Sequence, residues 1–328
     1  MVEIVVPFAQ IESINPNVKS KNYKKALSVY YKTICVCFLS LKKFNPEAKL
    51  VLVTNVLPEE QYLDFLGKLE IEIRILEYSL LPPESFGPLF RGSFYLLDAI
   101  ENCKNDTLFL DPDIMCIRAI PFERLSNTLM CLEMPFELNE NLNGISRIQA
   151  QRIYAGYTGY HSAAVQIHLG GECIFVGKGM EKFKDEIRCL WEYNTSSHRL
   201  TAEFLPTEEH LLSVLCPKYE YKSLNFLIAR IWTGFKYRLI PSLEELELMP
   251  LLHLPAEKSK AFSQFYWLAS KYPRIFIKMG DKSFRKFVFW KFHLDSRSRK
   301  LFFCTYTFFL QLGIRAMYPR KATNQMDC

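Results

Sequence analysis

Apolar positions along the first 255 residues follow two periods in turn. Short continuous runs of the buried-strand type occur at Val2 to Phe8, Lys49 to Thr54, Ile71 to Leu76 and Thr107 to Leu110. Stretches with helical spacing lie between them, at about Tyr23 to Phe44, Pro58 to Leu69 and Phe90 to Asn102. The first is ended by Asn45-Pro46, and the second is opened by proline and acids. This β-α-β-α-β rhythm predicts an α/β fold on a mainly parallel sheet flanked by helices. Farther along, a strand near Thr128 to Glu133 precedes a polar, Tyr-rich stretch from Asn139 to His161 that reads as a long loop or lid. Ala163 to Val176 then reads as strand, turn and strand around Gly170-Gly171, and Met180 to Tyr193 as a helix. The sequence carries no internal repeat and no low-complexity segment.

Composition adds bounds to that pattern. With 328 residues, 49% of them hydrophobic, the chain can build an ample core, which excludes general disorder. Its ten cysteines are scattered, without a CxxC pair or zinc-site spacing, and Cys35-Val36-Cys37 sits in an apolar helical run as core. Met1 leads straight into the strand-like Glu3 to Phe8, which predicts neither a signal peptide nor an N-terminal anchor. Thiols without a disulfide framework predict a reducing, cytoplasmic setting.

The net charge of +6 hides a division. Residues 258–321 hold fifteen Lys and Arg against two acids, leaving the remainder with 26 basic against 33 acidic residues, or −7. The two regions are expected to meet different partners.

Candidate chemistry begins where the run Thr107 to Leu110 empties into Asp111-Pro112-Asp113. Asp and Pro are ordinary turn formers, so these residues alone are also consistent with a plain strand end. Two carboxylates at the carboxyl edge of a parallel sheet equally suit a hard divalent cation carrying a diphosphate, since ligands of open α/β sheets bind at that edge. Two later segments carry the same ambiguity. In Leu205-Pro206-Thr207-Glu208-Glu209-His210, a helix cap and two dipole-compensating acids explain the pattern, and so does a carboxylate facing an anomeric carbon. In Leu252-His253-Leu254-Pro255-Ala256-Glu257-Lys258, the histidine is either an ordinary satisfied side chain or a Mn2+ ligand, with Lys258 or Lys260 near phosphate.

In this order the three segments resemble the GT-A nucleotide-sugar glycosyltransferases, over most of residues 1 to 260. The similarity is to the glycogenin-like and bacterial lipopolysaccharide galactosyltransferase family (family 8), with features of the blood-group-type α-1,3-transferases. There, as in Phe90-Arg91-Gly92-Ser93 through Leu108 to Asp113 here, an Arg-bearing helix leads to a strand and an acidic metal motif. The resemblance implies that Asp111, Asp113 and His253 bind Mn2+ or Mg2+, with Asp111 also against the donor. It implies that Arg91 and Lys258 reach the diphosphate or donor sugar, and that Phe8 and Ala9 lie beside the nucleobase. Gly170, Gly171 and Glu172 would line the donor and acceptor pocket, while Glu208 or Glu209 would act at the reacting centre. The implied reaction is a metal-dependent transfer of a hexose from a UDP-sugar to a glycan or glycolipid acceptor, with retention of configuration. The chain departs from family 8 in having Pro255 where a glycine follows the histidine, no Trp after Lys258, and Glu-Glu in place of Asp-Gln.

The division expected is a catalytic domain over 1–255 and a basic, aromatic, helical extension over 256–328. Within the extension, Leu301 to Ile314 is an uncharged run of fourteen residues, shorter than the roughly 20 a membrane span needs. Basic residues interleaved with aromatics suit an anionic membrane surface, and hence peripheral attachment on its cytoplasmic face, or else packing onto the catalytic domain. No recognition motif supports a nucleic-acid partner. A sugar-nucleotide nucleotidyltransferase is disfavoured because no glycine precedes Gly67 to form a phosphate loop, whereas a non-catalytic glycan-binding protein on the same fold stays open.

Overall fold

The computed structural model of the protein describes residues 2–11, 22–86, 90–125, 127–159, 167–201, 203–231 and 242–294. The chain opens with β1 (Glu3–Phe8), α1 (Tyr23–Phe44), β2 (Lys49–Thr54), α2 (Glu60–Lys68) and β3 (Glu72–Ile75). It continues through α3 (Tyr95–Glu101), β4 (Thr107–Leu110), β5 (Ile114–Cys116), β6 (Leu129–Met134), α4 (Arg147–Thr158) and β7 (His168–Val176). Next come α5 (Glu181–Thr201), α6 (Glu208–Leu215), β8 (Lys222–Ser223), β9 (Ile228–Arg230), α7 (Leu243–Leu248) and β10 (Leu251–His253). Three helices follow, α8 (Ser263–Lys271), α9 (Pro273–Lys278) and α10 (Asp281–Lys291).

Seven strands form the main sheet in the order β3-β2-β1-β4-β7-β6-β8. The first four run parallel, β7 is antiparallel to both its neighbours, and β8 is parallel to β6. Because strand side chains alternate, Ile4 and Val6 of β1 enter one core with α1 and α8–α10, while Val5 enters the other with α3, α5 and α6. This is the mainly parallel sheet flanked by helices that the alternating pattern predicts.

The long helix α1 has the predicted bounds, and its ends show why. The Asn22 side chain accepts from the Lys25 N–H at 3.0 Å, and Asn45 closes the other end through its N–H to the Leu41 carbonyl at 2.8 Å, just before Pro46. Thr33 to Leu41 is buried without a break, since α1 is covered by the sheet on one side and by α8 and α9 on the other. Phe262, Phe265, Phe284 and Phe292 supply much of that cover, with Phe262 and Phe292 meeting edge to face at 4.9 Å. Residues 258–294 therefore share a core with β1 and α1. The run Leu301 to Ile314 lies outside the described residues, and among those residues no helix is long and apolar enough to cross a membrane. Cys35 and Cys37 are buried in α1, as the core reading expects.

Three local expectations are corrected. Residues 168–176 form one strand, without a turn at Gly170-Gly171, because the extra residues are absorbed as a bulge where the β6 partner shifts from Ile174 to Gly170. Residues 163–166 are outside the described set. The stretch read as a lid contains α4, nucleated by a capping box between Ser146 and Gln149. The helix read from Phe90 starts at Tyr95, because Phe90 has a left-handed φ of 62° and residues 91–94 form turns.

At the edge of the sheet away from the β-strand carboxyl ends, Glu3 is buried. Arg74 grips it with two nitrogens at 3.0 and 2.9 Å, and Lys49 approaches to 2.9 Å. The Arg74 hydrogen bonds, opposed by burial and aided by Lys49, hold its pKa down at about 2 against 4.5. A depressed carboxylate contributes stability that is complete above pH 4.5 and lost as pH falls through 2. Glu3→Gln is expected to cost about 2 kcal/mol at pH 7, discounted for its half-exposed partners, with the gap to wild type closing towards pH 2. Urea unfolding at both pH values checks this, and a gap that persists at low pH would remove the ion-pair explanation.

Candidate active site

The second, three-stranded sheet builds the site. After β4 the Asp111 N–H donates to the Glu172 carbonyl at 3.0 Å, and a turn through Pro112 and Asp113 sends the chain into β5. There β5 pairs antiparallel with β10, placing Ile114 opposite His253, and β10 pairs parallel with β9, placing His253 beside Arg230. The Leu254 N–H donates to the Asp113 carbonyl at 3.1 Å, locking that register. Backbone pairing thus gathers residues 113, 230 and 253 from distant parts of the chain.

Ligand atoms of Asp111, Asp113 and His253 all lie within 4.8 Å of one another. His253 Nε2 is 3.4 Å from Asp113 Oδ1 and 3.7 Å from Asp111 Oδ2. Asp113 is fully buried, its Oδ1 has no hydrogen-bond partner among the described residues, and its Oδ2 contacts the Lys258 ammonium. By contrast, 44% of the Asp111 side chain is exposed, open to the cleft. Two carboxylates and an imidazole around a buried acceptor lacking a hydrogen suit Mn2+, or Mg2+ with fewer protein ligands, so the residues present fit a divalent cation.

The charges lie close enough to shift one another. Burial would raise the pKa of Asp113, but Lys258 and His253 outweigh it and hold the group well below the usual carboxylate range. Asp111, although its side chain opens onto the cleft, is pushed up by desolvation from the surrounding protein first and then by the Asp113 charge. Burial disfavours charged His253, yet Asp113 and Glu172 on either side raise its pKa to about 9.

A cleft of about 250 Å³ opens over these groups at the carboxyl end of the parallel strands. On one side, Phe8 and Ala9 at the end of β1 line it together with Tyr30 of α1, which stacks on Phe8 at 5.2 Å. Reciprocal hydrogen bonds between the Gln10 backbone and the Asn55 side chain, at 2.7 and 3.0 Å, fix that corner. On the other side stand the acids of α6, whose N-cap is Thr207, as predicted. Glu209 Oε2 lies 3.3 Å from His168 Nε2, while its Oε1 accepts from the Gly171 N–H at 3.4 Å. Glu208 accepts from the Ser93 hydroxyl, and burial followed by the Glu209 charge pushes its pKa well up.

The glycines of β7 explain this crowding. A Cβ on Gly171 would lie 2.9 Å from Glu208 Oε1, and one on Gly170 would lie 2.2 Å from Glu172 Oε2. Their bare backbone makes room for three carboxylates; they stand behind the cleft wall. Glu172 and Lys258 both line the cleft. Arg91 does not, because the turn that follows Phe90 directs its guanidinium to the Pro82 carbonyl at 2.8 and 3.0 Å and leaves Gly92 and Ser93 facing inwards. Sequence reasoning missed Arg230, whose signal was an arginine set inside the apolar run Leu227-Ile228-Ala229-Arg230-Ile231. It also gave no role to Tyr30, Ser93 or the side chain of His168.

No protein-family model matches the chain, and no curated protein is similar to it in sequence. Among solved structures, similarity is found to the apo form of WbbM, a bifunctional glycosyltransferase, with 8% identity over 77% of this chain and 45% of that one, at a TM-score of 0.46. The apo-form glycosyltransferase GlyE of Streptococcus pneumoniae TIGR4 is 14% identical over 88% of this chain and 63% of its own, at a TM-score of 0.43. Apo mouse xyloside xylosyltransferase 1 is 9% identical over 76% and 96%, at a TM-score of 0.44. The chain spans less than two thirds of the length of the first two proteins.

A cation held by this cluster stabilises the folded state by mass action, about 2.7 kcal/mol at a hundredfold excess over Kd. Mn2+ is therefore expected to raise the melting temperature of the wild type and to leave that of Asp113→Asn unchanged. Differential scanning fluorimetry with and without Mn2+ reads this, and an equal rise in both proteins would remove Asp113 from the ligand set.

Proposed function

We propose that the protein is a metal-dependent glycosyltransferase that moves a hexose from a UDP-sugar to a glycan or glycolipid acceptor, with retention of configuration. The observation that carries this reading is the joining, in one cleft, of the Asp111, Asp113 and His253 cluster with an aromatic corner at Phe8 and Tyr30 and the acids at the start of α6.

Each part has work suited to its chemistry. Phe8 and Ala9 give the nucleobase an apolar wall, with Tyr30 extending it. Asp111, Asp113 and His253 would hold Mn2+ or Mg2+, which when bound supplies a Lewis acid that neutralises the diphosphate leaving group. Lys258, buried against Asp113 and lining the cleft, sets positive charge on the same side. As the bond between the anomeric carbon and the diphosphate oxygen breaks, positive charge develops on the sugar. Glu208 and Glu209 face that region from the opposite wall. Glu209, with both oxygens held, is the carboxylate suited to stabilise the charge, while Glu208, with its raised pKa, is suited to donate a hydrogen bond.

Incubation of the protein with UDP-sugars and Mn2+ is expected to release UDP, and Asp113→Asn is expected to lower the rate by at least about a hundredfold. Near wild-type release by that variant, with and without Mn2+, would sink the assignment. No turnover of any donor, despite Mn2+-dependent binding of UDP, would favour a glycan-binding protein on the same fold.

The outer face of α8–α10 supports a membrane-bound acceptor. Trp267, Tyr272, Ile275 and Trp290 are each more than half exposed, next to Lys271, Arg274, Lys278 and Lys291. Flotation with anionic liposomes at low salt is expected to carry the protein upwards, and neutral liposomes or high salt are expected to release it. Flotation that ignored lipid charge would refute this attachment.

A further inference from the structure

Among the described residues, five carboxyl groups and three basic groups line the cleft, and the proposed reaction leaves one acid and one base of these without work: Glu172 and Arg230. Glu172 is among the least exposed charges of the described residues, and Arg230 beside it keeps 21% of its side chain exposed. Glu172 is 2% exposed, on the bulged part of β7, and its Oε1 lies 3.2 Å from His253 Nδ1 and 3.2 Å from Arg230 Nε, at ion-pair distance though neither contact is aligned as a hydrogen bond. The opposite ring nitrogen, Nε2, faces Asp111 and Asp113. The backbone supports the same line, because Arg230 and His253 are register partners in the small sheet and the Asp111 N–H is bonded to the Glu172 carbonyl.

We infer that Glu172 is a positioning residue for the metal site, held by Arg230, that fixes the ring of His253 so that Nε2 is presented beside Asp111 and Asp113. The inference rests on the metal-site reading above and gives Glu172 a task other than touching the donor. A cation takes the place of the Nε2 proton, and a carboxylate at Nδ1 keeps the remaining proton on that nitrogen, so that the Nε2 lone pair is left to the cation. Without that partner the ring has two tautomers and freedom to turn. Arg230 serves in turn to keep the oxygen of Glu172 in place, since a buried carboxylate needs a cation beside it. Gly170 belongs to the device, because any side chain there would occupy the space of Glu172 Oε2.

Histidine ligation favours Mn2+ over Mg2+, which takes oxygen ligands, so the readout is the ratio of the two affinities without donor or turnover. Mn2+ binding is followed by loss of the free-ion electron paramagnetic resonance signal, and Mg2+ by competition. Glu172→Leu removes the acceptor and is expected to weaken Mn2+ binding about 10–100-fold, with a markedly smaller loss for Mg2+. Glu172→Gln keeps an acceptor oxygen but loses the charge, so both ions should weaken alike and the ratio should hold. Gly170→Ala, which leaves Glu172 chemically intact but displaces it, is expected to lower the ratio as the leucine variant does, and it keeps the test decisive should that variant not fold. Equal losses for both ions in the Leu and Ala variants, or unchanged Mn2+ binding, would overturn the inference while leaving the metal site standing. Absence of Mn2+ binding by the wild type would overturn both.

Discussion

Removing one partner from a buried carboxylate typically costs a protein 3–5 kcal/mol, and Asp113 is a carboxylate with no exposed surface at all. Its satisfaction organises the chain around it. One oxygen takes the Lys258 ammonium and the other faces His253, while its backbone carbonyl takes the Leu254 N–H. These partners come from β10 and from the single π-helical turn at Lys258–Phe262 that follows it. That turn leads directly into α8, so the site and the C-terminal helices are joined by the same few residues. The helices then close over α1, whose unbroken buried stretch requires cover on two sides. Loss of the Asp113–Lys258 contact would thus loosen the cation cluster and the entry to the α8–α10 layer together.

A second constraint comes from β7. A regular strand could not bring Glu172 to the cation cluster while leaving α6 space to set Glu208 and Glu209 beside it. The bulge changes the direction of the strand locally, and Gly170 and Gly171 remove the atoms that would collide. The result, among the described residues, is a cleft in which five carboxyl groups stand close to Lys258, His253 and Arg230. A divalent cation held among them would offset the charge of a diphosphate in the proposed reaction.

Features legible in the sequence were those set by local chemistry. The bounds of α1 followed from its period and Asn45-Pro46; the strand leading to Asp111 followed from its apolar run; Thr207 and the acids after it announced α6. Those that escaped were set by pairings across the chain. Gly170-Gly171 reads locally as a turn, and only its fit against Glu172, Glu208 and Leu132 makes it a bulge. Arg230 gains its meaning from lying beside His253 in a parallel pairing between segments separated by α7, which no local pattern announces. Arg91 fails in the opposite sense: its sequence context suggested the cleft, but the left-handed Phe90 ahead of it turns its side chain to Pro82.

The same distinction decides how the basic, aromatic C-terminal segment divides. As sequence, its aromatics form one class; in the fold, the helices sort them by face. Phe262, Phe265, Phe284 and Phe292 are drawn into the α1 core, where each ring gains close-packed neighbours, and Trp267, Tyr272 and Trp290 remain outside with the lysines and arginines. The inward set makes α8–α10 inseparable from the core built by β1 and α1. The outward set combines amphipathic rings with positive charge, as at Lys271, whose ammonium lies 4.0 Å from the Trp267 ring centroid. Such a face gains from an anionic surface without needing an apolar span, because rings can enter the headgroup layer while the cations meet the charge above it. Under the proposed membrane attachment, one segment would both seal α1 and meet the surface.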